Sequence, residues 1–196
     1  MLTGGRSAER LYREWAEMRQ LAAAKGLRFY FGDERCVPVE QVQSNYGMAI
    51  RTLFSKCLAV HAESIYRMEA DAEDVNEAAR RYDELLPTSI DVMLLGVGED
   101  GHIASLFPQS PVLHEKHRRV VYVDCPKAPN KRLTITPPVI AQANSIFVLA
   151  SGQDKAKILQ YAQRDPSEFI SLPARLVLHA DWLLDSTLPD TLTDIC

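Results

Sequence analysis

At 196 residues, 46% of them hydrophobic, the chain is long enough to bury one sizeable core without help from disulfides or metals. A formal net charge of −4 argues against nucleic acid as the main partner, while leaving room for a small anionic ligand that needs only a few placed cations. Cys36, Cys57, Cys125 and Cys196 are scattered, with no CxxC pair and no Cys/His spacing, so neither a disulfide scaffold nor a zinc site is expected, and no apolar run reaches membrane length. No secretory leader is evident, and a reduced cytoplasmic protein is the simplest expectation.

The chain opens MLTGGRSAERLYREWAEM. Ser7 reads as a helix N-cap, with Leu11, Trp15 and Met18 along one face of the helix it starts. Gly4 and Gly5 stand just before that helix, and free N–H groups at the positive end of a helix dipole make a phosphate-binding arrangement, to which Arg6 adds charge. An ordinary loop before a first helix is the plainer reading of the same residues. A loop of this kind normally follows a strand, and only Met1 and Leu2 precede it.

Leu27 to Phe31, rich in aromatics, is expected to be a strand that ends in Gly32, Asp33, Glu34 and Arg35. Three charges in a row usually mark a solvated loop, yet Arg35 is suited to a phosphate because its planar fork pairs two oxygens at once. Pro38 forces an irregular loop, and Ser44 caps a helix expected over Asn45 to Lys56. A short strand follows around Ser64 to Arg67. The helix in DAEDVNEAARRYDELLP then turns Val75, Ala78, Ala79 and Tyr82 inward.

The centre of the chain is DVMLLGVGEDGHIASLFP, Asp91 to Pro108. Val92 to Leu95 reads as a strand buried on both faces, and Gly96, Val97 and Gly98 allow a sharp turn. Glu99, Asp100, Gly101 and His102 follow, and Ile103 to Phe107 reads as the opening of a short helix. A strand that ends in a glycine turn delivers that turn to the carboxyl edge of a parallel sheet, where open α/β proteins bind ligands. A histidine buried against a backbone carbonyl is the bland alternative for His102; paired with Asp100 at such an edge, it suits proton transfer near neutral pH.

RRVVYVDCP reads as a strand ended by Pro126, and Lys127, Lys131 and Arg132 gather on a loop before a strand at Leu133 to Thr136. Pro137 and Pro138 start a helix, and Ser145 to Ala150 is another buried strand. Ser151 and Gly152 then turn into a helix carrying Lys155, which is a surface lysine on the plain reading and a ligand-facing cation on the other. SLPARLVLHADWLLDSTL is expected to hold a Pro-led helix, a strand at Leu176 to Leu178 and a tail, with His179 and Trp182 as packing. Strand, turn and helix thus alternate about five times, which predicts one Rossmann-like α/β domain over residues 1–196, a mostly parallel sheet flanked by helices. Four turns should share one edge: Gly4 to Ser7, Asp33 to Arg35, Gly98 to His102 and Ser151 to Lys155.

GDERCVP with SNY, GVGEDGHIASLFP, KRLTITPPVI and the PAR…W segment resemble the 6-phosphogluconolactonase branch of a superfamily that includes glucosamine-6-phosphate deaminase. The likeness runs in order over nearly the whole chain. It implies hydrolysis of 6-phospho-D-glucono-1,5-lactone to 6-phospho-D-gluconate in the pentose phosphate pathway, with no metal or cofactor, by a monomer or weak homo-oligomer. By position it implies His102 as general base, Asp100 as orienting it or shaping the pocket, Arg35 and Lys155 on the 6-phosphate with the Gly4-Gly5 amides, Arg132 in binding or in polarising the lactone carbonyl, and Asp33 in binding. The first loop departs from the family pattern Leu-Ser-Gly-Gly-Ser-Thr-Pro, since Arg6 is added and the proline is lost. The family also has roughly one helix and one strand before this loop. The fold is therefore expected to be N-terminally short, with two sheet edges unpaired and a stability below that of a longer form. A deaminase or isomerase of the same fold, or a non-catalytic sugar-phosphate-binding chain, is the alternative; the run Ser105-Leu106-Phe107 speaks against the deaminase branch.

Overall fold

The computed structural model describes residues 1–18, 25–57 and 60–185; the expected tail and Cys196 lie outside the described residues. In chain order the elements are α1 (Arg6–Glu17), β1 (Asp33–Arg35), α2 (Asn45–Ala49), α3 (Val75–Leu85), β2 (Ile90–Gly96), β3 (Val120–Asp124), β4 (Lys131–Ile135), α4 (Pro137–Ala141), β5 (Ala143–Ala150), α5 (Gln153–Arg164) and β6 (Asp181–Leu184). Strands β2, β5 and β6 form a parallel sheet in that order, whereas β1, β4 and β3 pair antiparallel around a central β4. The expected α/β architecture holds, but only half of the laddered sheet is parallel.

The first residues join the two halves. Met1 accepts from Leu94 N, and its amino group donates to Val92 O at 2.6 Å. On the other side Leu2 N donates to Tyr30 O, and Leu2 O accepts from Gly32 N. Leu27 to Phe31 is extended as expected, yet it makes only single parallel bridges, Phe31 to Leu2 and Phe29 to Ile65. Gly32 O then accepts from Ile135 N and leads into the antiparallel half. The expectation of two unpaired edges is therefore corrected where Met1 and Leu2 bond to both sides. Leu27 and Val92 remain 40% and 47% exposed beside a groove of about 410 Å³.

Alternation along β2 divides the core. Met93 and Leu95 face one cluster with Tyr82, Ile103, Leu106, Leu133 and Ile135, and Leu94 faces a second with Tyr12, Phe31, Leu53 and Leu149. Two buried tyrosines replace missing ladder partners. Tyr12 on α1 accepts from Thr3 N and donates to Thr3 O, which holds the first loop against the helix. Tyr82 on α3 accepts from Phe31 N at 2.7 Å.

Several local expectations fail for physical reasons. Ser7 is not the cap of α1; Gly5 is, and Ser7 lies in the first turn. The helix over Asn45 to Lys56 begins under its Ser44 cap but widens to a π-helical turn at Ile50–Phe54. Ile103 to Phe107 is not helical: Ile103 pairs back to Val97 and to Leu106, and Ala104 takes a φ of 47°. With Ile103, Ser105 and Leu106 all buried, this stretch has no solvent face for a helix to present. Pro173–Val177 is a 3₁₀ turn and the last strand comes later, at Asp181–Leu184, so Leu176 to Leu178 is not a strand. An apolar run so short cannot specify a strand, and Trp182 Nε1 fixes the turn by donating to Val177 O. Lys131 and Arg132 belong to β4 rather than to a loop.

Candidate active site

Seven of the eight residues given a role in the sequence line one cleft of about 740 Å³: Gly4, Gly5, Asp33, Arg35, His102, Arg132 and Lys155. Asp100 stands behind His102. The turn after β2 closes as a tight hairpin in which Gly98 N donates to His102 O and Gly101 N to Gly98 O. This aims the imidazole back across the turn, so that His102 Nδ1 lies 2.5 Å from Asp100 Oδ1. Gly98 is required by contact: a Cβ there would sit 2.0 Å from His102 Nδ1 and 2.5 Å from Asp100 Oδ1. Phe107 stacks on the other side of the ring at 4.2 Å and is in turn covered by the Arg132 guanidinium at 5.5 Å.

Burial works to raise the Asp100 carboxyl, but the hydrogen bond and charge of His102, and then the ammonium of Lys127, hold it well below the usual carboxylate range. Asp100 is thus ionised at neutral pH, and with Nδ1 turned to its carboxylate, Nε2 is the ring nitrogen left for another proton. Lys127 Nζ lies 3.3 Å from the second oxygen of Asp100.

Arg132 proves more committed to the protein than the sequence implied. It is 4% exposed, and Nε and Nη2 donate to the carbonyls of Pro129 and Lys127. Nη1 faces Ser105 Oγ at 3.4 Å and Asp33 at 3.9 Å. Burial lowers its pKa, with Asp33 opposing. Asp33 itself is buried, accepting from Ser105 Oγ at 2.7 Å and from Asn45 Nδ2 at 3.0 Å. Next to it, Glu34 turns inward and receives the backbone N–H groups of Arg35, Asn45 and Tyr46, so the segment that presents Arg35 is tied to the N-terminus of α2. Burial raises the Glu34 carboxyl and these N–H donors oppose it. Arg35 donates from Nη1 to Gln43 O at 2.6 Å, and its Nε is buried without a protein partner.

On the opposite wall two helices end at the cleft without a side-chain cap: α1 behind Gly5 and α5 behind Gly152, with φ of 95° and 93° that suit glycine. Ser7 Oγ and Ser151 Oγ meet at 2.9 Å and tie the two ends together. Lys155 crosses from α5 to Val97 O, and burial pushes its ammonium below its ordinary value while Glu99 opposes. Six basic side chains line the cleft against three acidic ones. The arrangement suits a small anion held beside an imidazole base. Reading the chain alone placed Ser105 and Asn45 within motifs but gave neither a role, and it missed the Ser7–Ser151 link, which joins residues 144 positions apart. Among the described residues there is no cluster of metal-ligating side chains, and no helix is long and apolar enough to cross a membrane.

Residues 1–185 match the family described as glucosamine-6-phosphate isomerases/6-phosphogluconolactonase. A 6-phosphogluconolactonase 3 of Saccharomyces cerevisiae is 37% identical over 141 residues, 67% of this chain and 57% of the yeast protein. The chain thus spans little more than half of that relative's length. A 6-phosphogluconolactonase of Bos taurus is 35% identical over 208 residues, covering 98% of this chain and 80% of its own. Among solved structures, 6-phosphogluconolactonase from Trypanosoma cruzi superposes with a TM-score of 0.80 at 28% identity, over 99% of this chain and 82% of that one.

Proposed function

The chain belongs to the glucosamine-6-phosphate isomerase/6-phosphogluconolactonase family, and from that membership and the geometry of the cleft we propose that it hydrolyses 6-phospho-D-glucono-1,5-lactone to 6-phospho-D-gluconate. The observation that carries this reading is the 2.5 Å contact between His102 and Asp100 on the wall of a cationic cleft. In it, the phosphate sits between Arg35 and the uncapped ends of α1 and α5, with the Gly4-Gly5 segment and Lys155 closing around it. His102 Nε2 takes a proton from a water molecule as its oxygen attacks the lactone carbonyl. Asp100 holds the ring and balances the imidazolium. When the tetrahedral intermediate collapses, the ring oxygen leaves and takes the proton back from His102, which becomes neutral again. A lactone is an activated ester, so an oriented base and water suffice and no covalent nucleophile is needed. Arg132 and Asp33 act mainly by shaping the wall through their buried contacts. The reaction belongs to the cytoplasm, and a monomer or weak homo-oligomer fits a cleft built within one chain.

A pH-stat assay of lactone hydrolysis, corrected for the spontaneous reaction, tests this directly. Native protein should accelerate hydrolysis, and His102→Ala should lose about 10²- to 10⁴-fold in kcat, the usual worth of general-base catalysis. Ammonia release from an amino-sugar phosphate, or phosphate-sugar binding with no turnover, would replace this reading with a deaminase or a binding protein.

A further inference from the structure

Attack of water on the lactone carbonyl places negative charge on the carbonyl oxygen, and the product carries a carboxylate that the substrate lacks. Something near His102 must meet that charge. Of the other cations, Arg35 and Lys155 are assigned to the phosphate, and Arg132 spends Nε and Nη2 on the carbonyls of Pro129 and Lys127. Lys127 is placed differently. Its ammonium lies 3.3 Å from Asp100 Oδ2, on the same carboxylate that holds His102, and keeps donors to spare.

We propose that Lys127 is a catalytic residue, the cation that faces the oxyanion formed when water adds to the lactone carbonyl. One carboxylate sets its place: Oδ1 of Asp100 holds the imidazole and Oδ2 holds the ammonium, so base and oxyanion partner keep a fixed separation on one anchor. A lysine on the turn between β3 and β4 would ordinarily wave in solvent. Here the buried Arg132 pins that turn by its backbone, and Lys127, 45% exposed at the side chain, lines the cleft. The step needs no proton from Lys127. Water gives its proton to His102 Nε2, the new C–O bond forms as the carbonyl π pair moves onto oxygen, and the ammonium stabilises that oxygen until the ring C–O bond breaks.

The proposal rests on lactone hydrolysis as the activity, and its test separates the two. In Lys127→Met, kcat should fall about 100-fold, the order lost with one oxyanion donor, while KM stays within about threefold. Lys127→Arg should recover most of the loss. By calorimetry, 6-phosphogluconate, with its carboxylate, should bind Lys127→Met about tenfold more weakly, and glucitol 6-phosphate, neutral at C1, should bind as it does to native protein. Native protein without lactone hydrolysis sinks the functional reading itself. Native turnover retained within threefold in Lys127→Met, or equal weakening of both ligands, overturns the role of Lys127 alone. Should the methionine variant fail to fold, Lys127→Gln carries the same comparison.

Discussion

The sharpest test of the site is the smallest change that can be made in it, Gly98→Ala. Gly98 does not have a positive φ, so alanine meets no backbone penalty there. Its methyl would stand 2.0 Å from His102 Nδ1, where ordinary contact begins near 3.4 Å, and 2.5 Å from the carboxylate oxygen that the imidazole needs. The ring must retreat by about 1.4 Å, and a displacement of that order takes the Asp100–His102 pair out of hydrogen-bonding range. Misplacing a catalytic group by about 1 Å costs on the order of 100-fold, equivalent to about 2.7 kcal/mol of barrier. In initial-rate assays of lactone hydrolysis, kcat should fall by about that factor with KM nearly unchanged, because the groups assigned to the phosphate lie on other loops. Circular dichroism and the thermal midpoint establish that the fold is retained. A folded Gly98→Ala protein with native turnover would refute the placement of the imidazole against Asp100 and the mechanism built on it.

Other consequences can be measured alongside. Asp100→Asn should lower kcat by about 100-fold, since an amide no longer balances the imidazolium. Because the native carboxyl is held below its ordinary value near 3.9, its contribution to stability is complete above that pH and lost as pH falls through the folded value. The thermal midpoint of Asp100→Asn should therefore lose less than native on acidification from about pH 4 downward, and parallel acid curves would count against the pairing. Arg35→Ala should raise KM by about tenfold or more and leave kcat within about threefold; a loss confined to kcat would move Arg35 out of the phosphate site. Ser44→Ala removes the oxygen that accepts Gly47 N at 2.9 Å at the start of α2, and should cost about 1 kcal/mol in chemical denaturation. No change in denaturation midpoint would mean that the α2 terminus finds its hydrogen bonds elsewhere.

The parts of the site that lay in one stretch of chain were legible in advance, and those assembled across the fold were not. The glycine turn after β2, with Asp100 and His102, carries its own geometry, because strand and turn chemistry place both residues at a sheet edge. Lys155 could be named for the same reason, since it follows the end of β5, whereas Arg35, expected in a turn, is the last residue of β1. The apolar run after His102 misled: Ile103 to Phe107 has helical composition, and burial on every side overrode it. Propensity is likewise silent on strand direction, so the antiparallel half built on β4 was not foreseen. The Asp33–Ser105–Asn45 contacts join residues 12 to 72 positions apart, and only the finished packing brings them together.

The two helix ends stapled by Ser7 and Ser151 also bear on which solutes the protein admits. The chain as a whole is anionic, with a net charge of −4, while the cleft concentrates positive potential from these ends and from six basic side chains. At physiological salt that potential fades within about 8 Å. A long polyanion approaching from outside meets mostly the repulsive exterior, and a compact dianion able to pass the rim falls into an attractive well. Selection by size thus comes from electrostatics as well as from shape, and the rate of capture, more than the chemistry that follows it, should slow as ionic strength rises.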